Sequence, residues 1–486
     1  MEIVSLLDLL VNGLIKAEED FFSDPKDLRT LEKATKATTD AVAAQFISTV
    51  LSSMDEQIYN SSYRKQLYNA QRTRLRALTS SVGDLIFNCT LYRKKDAKTG
   101  GYISLLPEIV GISKHERFTE EAEVMMLVEA LKTSYAEAAR ILPSRQQITK
   151  TTVMNKIHGI AEDIPLSEPE ELKEADYLFV EADEDHVAEQ HGDQTGKEEN
   201  GSFISKLVYV YEGKEKTEGY AERKELKNKY YFSGLYPGPE GNEQLWNNVQ
   251  TYITNNYDPE KLKRVFVSGD GASWIKSGAN YLDKALFCID KYHLMQYINH
   301  AAAQMPDEKE GVKNELWHLL YSKRKKAKSR FDEYTKRMMV SAKNPDIVEE
   351  LRAYVLGNWA AVRRTLNNKL VNGCSAESHV SHVLSDRLSS RPMGWSQRGA
   401  DRMSKLRCYE RNNGREKIID LVRYSRDIQK GHRTGTDNEI VKKISLREIT
   451  AEHYDQARSY IERIQATIPG MTAKKTASIR TQLRLL

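Results

Sequence analysis

The sequence predicts a multidomain protein of mixed class, α+β / α/β, on three observations. Apolar residues recur at helical spacing near the start, a series of short buried strands interrupted by helices begins near residue 175, and a long helical, Lys/Arg-rich stretch follows them. The 486 residues allow about three domains. Hydrophobic residues at 40% and charged residues at 29% describe a core-bearing globular chain and exclude wholesale disorder or a membrane bundle. The net charge of +4 is too mild to imply nucleic acid unless the charge is clustered.

Residues 1–80 read as a helical N-terminal arm. Ile3, Leu6, Leu7, Leu10 and Leu14, then Val42, Phe46, Val50 and Met54, keep the helical period with few turn residues between them. The first run carries Glu2 and Asp8 and lacks a basic leader, so an amphipathic helix is expected rather than a signal peptide. No stretch approaches the roughly 18 apolar residues of a membrane span. The four cysteines, Cys89, Cys288, Cys374 and Cys408, form no Cys-x-x-Cys pair, which argues against a thiolate zinc site or a disulfide scaffold and for a reducing cytoplasm.

Residues 81–165 predict a β-hairpin and a helix-turn-helix. Two extended runs, LIFNCTLYR and YISLLPEI, flank a turn at 96–101. Helices are expected over 119–132, 134–142 and 149–160, the second opened by Ser134 and Glu137 at capping-box spacing and stopped by Pro143. Val153 and Ile157 face one side of the third, leaving Lys150, Thr151, Asn155, Lys156 and His158 for a major groove. A plain three-helix connector is the alternative.

Residues 161–200 hold 15 Asp/Glu against Lys173 and Lys197, the composition of a solvated linker. Yet YLFVEADEDHV, beginning at Tyr177, starts as a buried strand and runs into carboxylates. Further strands are expected at 203–211, 230–234, 263–269 and 284–289, with a helix over 242–256 and another over 291–303. That order, three antiparallel strands and then two joined in parallel through a crossover helix, is the order of an RNase H-like core. The core is read as 175–303 and 373–428, split by an all-α basic insertion over 304–372 in which residues 321–330 hold six basic and no acidic residues. KGHRTGTD reads as a linker to a helical tail over 438–486.

Carboxylates at strand ends are costly without a partner. Asp183 follows YLFVEA and Asp270 follows RVFVSG, and in this strand order the two ends are neighbours. Mg²⁺, or Mn²⁺, is the natural cation between them, because it takes hard oxygen ligands and leaves room for water and phosphate. A third carboxylate from a helix after the fifth strand would complete a two-ion site for phosphoryl displacement, and Glu377, behind a possible Ser375 N-cap, supplies it. Asp185 shares the face of Asp183 and remains an alternative first acid. Asp290 and His293 are possible accessories, His293 being equally a packed histidine at the sheet edge. Arg387, Arg391 and Arg398 form a basic, aromatic-bearing segment beyond Glu377 suited to phosphate, as is the run containing Lys323 and Lys325; a solvated basic surface is the bland reading of both.

DEDHV, SGDGASWI, CIDKYH and GCSAESHVSHVLSDRLSSRPMGWS together resemble bacterial insertion-sequence transposases of the ISLre type, within the Mutator-like group of DDE transposases, over about residues 60–425. The resemblance implies an RNase H-like fold, a Mg²⁺-dependent triad at Asp183, Asp270 and Glu377, and an Asp-x-x-His element at Asp290–His293. It also implies cleavage of element ends and strand transfer into target DNA, in a homo-oligomer acting at the bacterial nucleoid. A resolvase-type nuclease and a non-catalytic DNA-binding protein are the rival functions.

Overall fold

In the computed structural model, which describes residues 3–25, 27–96, 100–166, 168–190, 201–216, 224–371, 373–391 and 393–430, the apolar spacing of the N-terminus does produce helices: α1 (Ile3–Ser23), α2 (Leu28–Asn60) and α3 (Ser62–Leu67). The helical arm, however, stops at Leu67. Strand β1 (Tyr68–Ser80) pairs antiparallel with β2 (Gly83–Lys94) from Tyr68↔Lys94 to Ser80↔Gly83, across a tight turn that Gly83 enters at φ +127°. An arginine-rich strand with an exposed face shows no apolar run, so its period-two pattern is faint. The hairpin expected around residues 96–101 shrinks to β3 (Tyr102–Ile103) against Arg93 and Tyr92, and LLPEI forms α4 (Leu105–Ile109), whose Leu105 and Leu106 are buried.

The open edge of β2 is covered by one stripe of α2. Ser48 Oγ accepts from Ile86 N (3.0 Å), Ser52 Oγ from Asn88 N (3.1 Å), and Asp55 from Thr90 N (2.9 Å) and Thr90 Oγ. These side chains, four and three residues apart on the helix, match alternate amides of the strand and satisfy an edge that would otherwise template pairing. Asp55→Ala is expected to destabilise this unit by about 1–3 kcal/mol through the stranded Thr90 amide, measured by urea unfolding.

Helices α5 (Glu120–Ala130), α6 (Tyr135–Ala138) and α7 (Lys150–His158) follow, with Thr119 and Ser134 as N-caps that accept from Ala122 N and Glu137 N. The middle helix is one turn, shorter than the expected 134–142, and Glu137 pairs with Arg140. Val153 and Ile157 are buried as their spacing requires. Lys156 is not free for a groove: its ammonium lies 2.9 Å from Glu116 and 2.8 Å from Glu123.

The chain divides into two compact units, Met1–Lys156 with Val422–Leu486, and Ile157–Leu421. The second is built on a five-stranded sheet of β4 (Tyr177–Ala188), β5 (Ser202–Tyr211), β8 (Tyr230–Gly234), β9 (Arg264–Gly269) and β10 (Ala285–Ile289), in the order β10-β9-β4-β5-β8. Strands β4, β5 and β8 are antiparallel, whereas β9 and β10 run parallel to β4. A ribbon of β6 (Gly213–Lys216) and β7 (Lys224–Lys227) rises between β5 and β8.

Helices α8 (Gly238–Asn256) and α9 (Ser273–Tyr281) cover one face, where Leu178, Val180, Ala182, Val265 and Val267 meet Leu245, Trp246, Val249 and Ile275. After α10 (Lys291–Ala302), the all-α insertion expected over 304–372 appears as α11 (Lys309–Tyr321), α12 (Ala327–Ser341), α13 (Pro345–Gly357) and α14 (Trp359–Asn367), packed around Leu316, Phe331 and Leu351. The other face of the sheet carries α15 (Ala376–Val380), a π-helical turn (Ser381–Ser385), α16 (Asp386–Leu388) and α17 (Gln397–Asn413). Asn412 of α17 both accepts from Tyr231 N and donates to Tyr231 O, closing the β8 edge. Helix α18 (Ile418–Lys430) returns to the first unit, where Arg426 joins Glu123 at 2.5 Å in a buried pair. The expected tail over 438–486 lies outside the described residues. Among the described residues no helix is long and apolar enough to cross a membrane.

Candidate active site

Strand β4 sorts its residues by period two, and the face opposite the apolar core receives three carboxylates in a row, Glu181, Asp183 and Asp185. Strand β9 lies alongside with Ser268 opposite Glu181, so the strand ends bring Asp270 beside Asp183. Gly269 permits the approach, because a Cβ there would sit 2.8 Å from the Ala182 carbonyl oxygen and 2.8 Å from Ile275. Asp270 accepts from Ala272 N at 2.8 Å and, with Gly271 at φ +103°, turns the chain into α9.

Burial pushes the Asp183 carboxyl up to about 6, and Asp270 adds to the rise; the Glu184 amide and His293 oppose it. Asp290 ends the third parallel strand. Its backbone N–H donates to the Gly269 carbonyl (2.8 Å), and its carboxylate caps α10 at Tyr292 N (2.9 Å) and stands 3.8 Å from His293 Nε2. Burial raises its pKa, and Glu181 and Glu377 push in the same direction. Three adjacent strand ends thus present Asp183, Asp270 and Asp290, with His293 beside them, its Nε2 3.8 Å from Asp290.

Glu377 occupies the first turn of α15 and is exposed. It is felt by Asp290, but among the described residues no three His, Cys, Asp or Glu side chains form a metal-binding group. The structure sets Asp183 and Asp270 on neighbouring strand ends, with Glu377 on α15 within electrostatic reach of Asp290. Two carboxylates suffice as protein ligands for Mg²⁺, which fills its remaining positions with water and substrate oxygen, so the donor set fits that ion.

The sequence reading missed Glu181. It is 2% exposed and accepts from Tyr209 OH, Tyr211 OH (2.5 Å), Ser375 N (2.7 Å) and Ser375 Oγ (3.1 Å). Ser375 is consequently not a side-chain N-cap: its hydroxyl is given to Glu181. A glutamate inside an apolar strand run, two residues before Asp183, was the available signal.

Asp185 performs the matching task at the other end. Its Oδ1 accepts from Ser385 Oγ (3.0 Å) and Ser389 Oγ (2.8 Å), while Oδ2 is buried without a partner. Trp395 then bonds to β4 itself, its N–H to Ala188 O (2.9 Å) and its carbonyl to Gln190 N (2.8 Å). Ser375, Ser385, Ser389 and Trp395 thus bind along β4 and its end, on either side of Asp183. The π-helical turn lies among these contacts, and removing both hydroxyls in Ser385→Ala/Ser389→Ala is expected to cost about 1–3 kcal/mol by thermal unfolding, through the buried Asp185 carboxylate left without donors.

The other candidates separate by exposure. Lys150, Asn155, Lys323, Lys325, Arg391 and Arg398 are exposed, Arg398 donating to His158 O at 2.9 Å. Arg387 is 5% exposed and stacked on Trp395 at 4.7 Å, so it is not part of a phosphate-facing surface. His379 is packed on Tyr209 (ring centroids 4.4 Å), bonded to Tyr231 OH (2.8 Å) and pushed down to about 4 by burial, hence neutral at pH 7.

Comparison with known proteins gives a relationship by sequence. UPF0236 proteins of Caldanaerobacter subterraneus subsp. tengcongensis are 32% identical, one over 398 residues covering 82% of this chain and 80% of the relative, another over 414 residues covering 84% of each. A UPF0236 protein encoded in the vanSb 3′ region of Streptococcus gallolyticus is 21% identical over 80% of this chain and 84% of its own. Among solved structures, the Drosophila P element transposase strand transfer complex matches at a TM-score of 0.21 and 11% identity, covering 76% of this chain and 92% of that one, a level that carries neither fold nor function. The model of an uncharacterised protein family, UPF0236, matches residues 24–423, and the chain belongs to that family.

Proposed function

We propose that the chain is a DNA transposase of the ISLre type, with an RNase H-like catalytic core that cleaves element ends and joins them to target DNA. The observation that carries the reading is the pairing of Asp183 and Asp270 on adjacent parallel strand ends, with the Asp183 carboxyl raised by burial and by its neighbour. Such a pair is poised to exchange a proton for a divalent cation. The strand order of the sheet and the motif resemblance around all three acids support the same reading.

Asp183 and Asp270 would hold Mg²⁺ or Mn²⁺, and Glu377 would complete the set. The chemistry an ion supplies there is activation of a water or a 3′-hydroxyl, together with stabilisation of charge on the phosphoryl oxygens, a second ion serving the leaving oxygen. Asp183 rather than Asp185 is the first acid in this reading, because the Asp185 carboxylate is committed to Ser385 and Ser389. His293 stands beside Asp290, its Nε2 3.8 Å from the carboxylate. Lys323, Lys325, Arg391 and Arg398, with Lys150 and Asn155, offer exposed groups for phosphate. The helix-turn-helix would read the element end, and a homo-oligomer would bring two ends together in the bacterial cytoplasm.

The test is purified protein, Mg²⁺ and a plasmid carrying the gene's own flanking DNA. Cleavage at the flanks followed by joining is the expected result. Binding of the flanks with no cleavage under Mg²⁺ or Mn²⁺ would leave a DNA-binding protein, and cleavage without joining a nuclease.

A further inference from the structure

Beside the strand-end acids lies a cavity of about 840 Å³ that the proposed chemistry leaves unused. Its floor is aromatic and its rim basic. Phe179 and Tyr211 are stacked there at 5.3 Å with 22° between their planes, and His379 stands on the wall formed by α15. Lys214, Lys229 and Arg411 are exposed at the mouth, and Lys214 also donates to the Gly373 carbonyl at 3.1 Å.

The acids that line the cavity do not cancel this charge. Three cations face two carboxylates, Glu181 and Glu225, and the Glu181 oxygens are already engaged by two phenols and Ser375. A volume of this size is that of a small-ligand site, with room for an aromatic ring and its substituents but not for a duplex. Cationic groups around an aromatic floor are what a sugar-phosphate with an unstacked base requires.

Position adds the decisive constraint. The lining residues Glu181, Ser268 and Ser378 stand two residues before Asp183, two before Asp270 and one after Glu377. A ligand in the cavity is therefore one link away along a chain whose next phosphodiester lies at the acids. We propose that the cavity binds one unpaired nucleotide, with its phosphate at the Lys214–Lys229–Arg411 rim and its base against Phe179 and His379. The proposal rests on the polynucleotide reading of the neighbouring acids but not on their catalysis.

The probe is a fluorescently labelled oligothymidylate, measured by anisotropy in EDTA so that no cleavage intervenes, with Lys229→Glu/Arg411→Glu beside wild type; both side chains are exposed, and circular dichroism checks that the variant folds as wild type does. The double variant is expected to bind at least about tenfold more weakly, and the slope of log affinity against log salt to flatten by about 1.4, the value for two lost contacts to a single strand. A second oligonucleotide carrying 5-iododeoxyuridine is expected to photocrosslink to peptides containing Phe179 or His379, and its duplex form is not. Competition by thymidine monophosphate would assign the cavity to free nucleotide, and failure to compete would assign it to a strand. Unchanged affinity in the double variant, or crosslinks confined to the Lys323–Arg330 run, would overturn the proposal. Crosslinking at the cavity in a protein that never cleaves DNA would uphold it while the transposase reading fails.

Discussion

Asp270→Asn is expected to lower Mg²⁺-dependent cleavage of the flanking DNA by about 10³-fold, the several kcal/mol that a correctly held ion contributes to a phosphoryl-transfer transition state. Asparagine keeps the volume of the side chain and an oxygen for the Ala272 amide, so the turn into α9 survives and only the charge is removed. Circular dichroism and thermal unfolding of the variant should therefore match wild type at pH 7 to within about 1 kcal/mol. Glu377→Gln should lose cleavage to a similar extent, though the side chain is exposed. An Asp270→Asn protein that cleaves at the wild-type rate would sink the metal site. A Glu377→Gln protein that does so while Asp270→Asn is dead would move the third acid to Asp290, the other carboxylate at a parallel strand end.

The contrast between those residues mirrors what was legible in the sequence. Strand order could be read because β4, β5, β8, β9 and β10 are short apolar runs, each announced by its own composition, and observed boundaries fall close to the expected ones. Asp183 and Asp270 could be read because an aspartate at the end of such a run is anomalous locally. The helices after residue 304 could be read from a long helical, Lys/Arg-rich stretch. Residues whose role depends on a partner far along the chain were silent: Glu181 is defined by Ser375, Asp185 by Ser385 and Ser389, and Lys156 by Glu116 and Glu123. The arginine-rich strand β1 failed for another reason. Its ladder is made by backbone groups and its exposed face selects polar side chains, so little of the strand signal reaches the composition. Arg387 shows the reverse error, a charge read as surface because its stacking on Trp395 exists only in the fold.

Asp183→Asn is expected to do two opposite things, and their combination separates a functional carboxylate from a structural one. Burial and the Asp270 charge raise the Asp183 carboxyl from its ordinary 3.8 to about 6 in the folded protein. Between those values the folded state retains a proton that the unfolded chain has released. The group's contribution to stability is thus fully present below pH 3.8 and is lost as pH rises through 6. At pH 8 the ionised carboxylate leaves the protein about 3 kcal/mol less stable than an equivalent neutral side chain would, an upper figure since water relieves part of it. Asparagine should therefore raise the unfolding free energy at pH 8 and change it little at pH 4. Mg²⁺ should stabilise wild type at pH 8 by mass action and leave Asp183→Asn unmoved. Cleavage should disappear in the same variant. A residue held for packing would show loss of stability with loss of activity, whereas here stability rises as activity falls, as expected where a buried charge is kept for the ion it receives. Equal unfolding free energies for the two proteins at pH 4 and pH 8, with the same response to Mg²⁺, would place the ion elsewhere, and the orphaned Asp185 oxygen would be the next carboxylate to test.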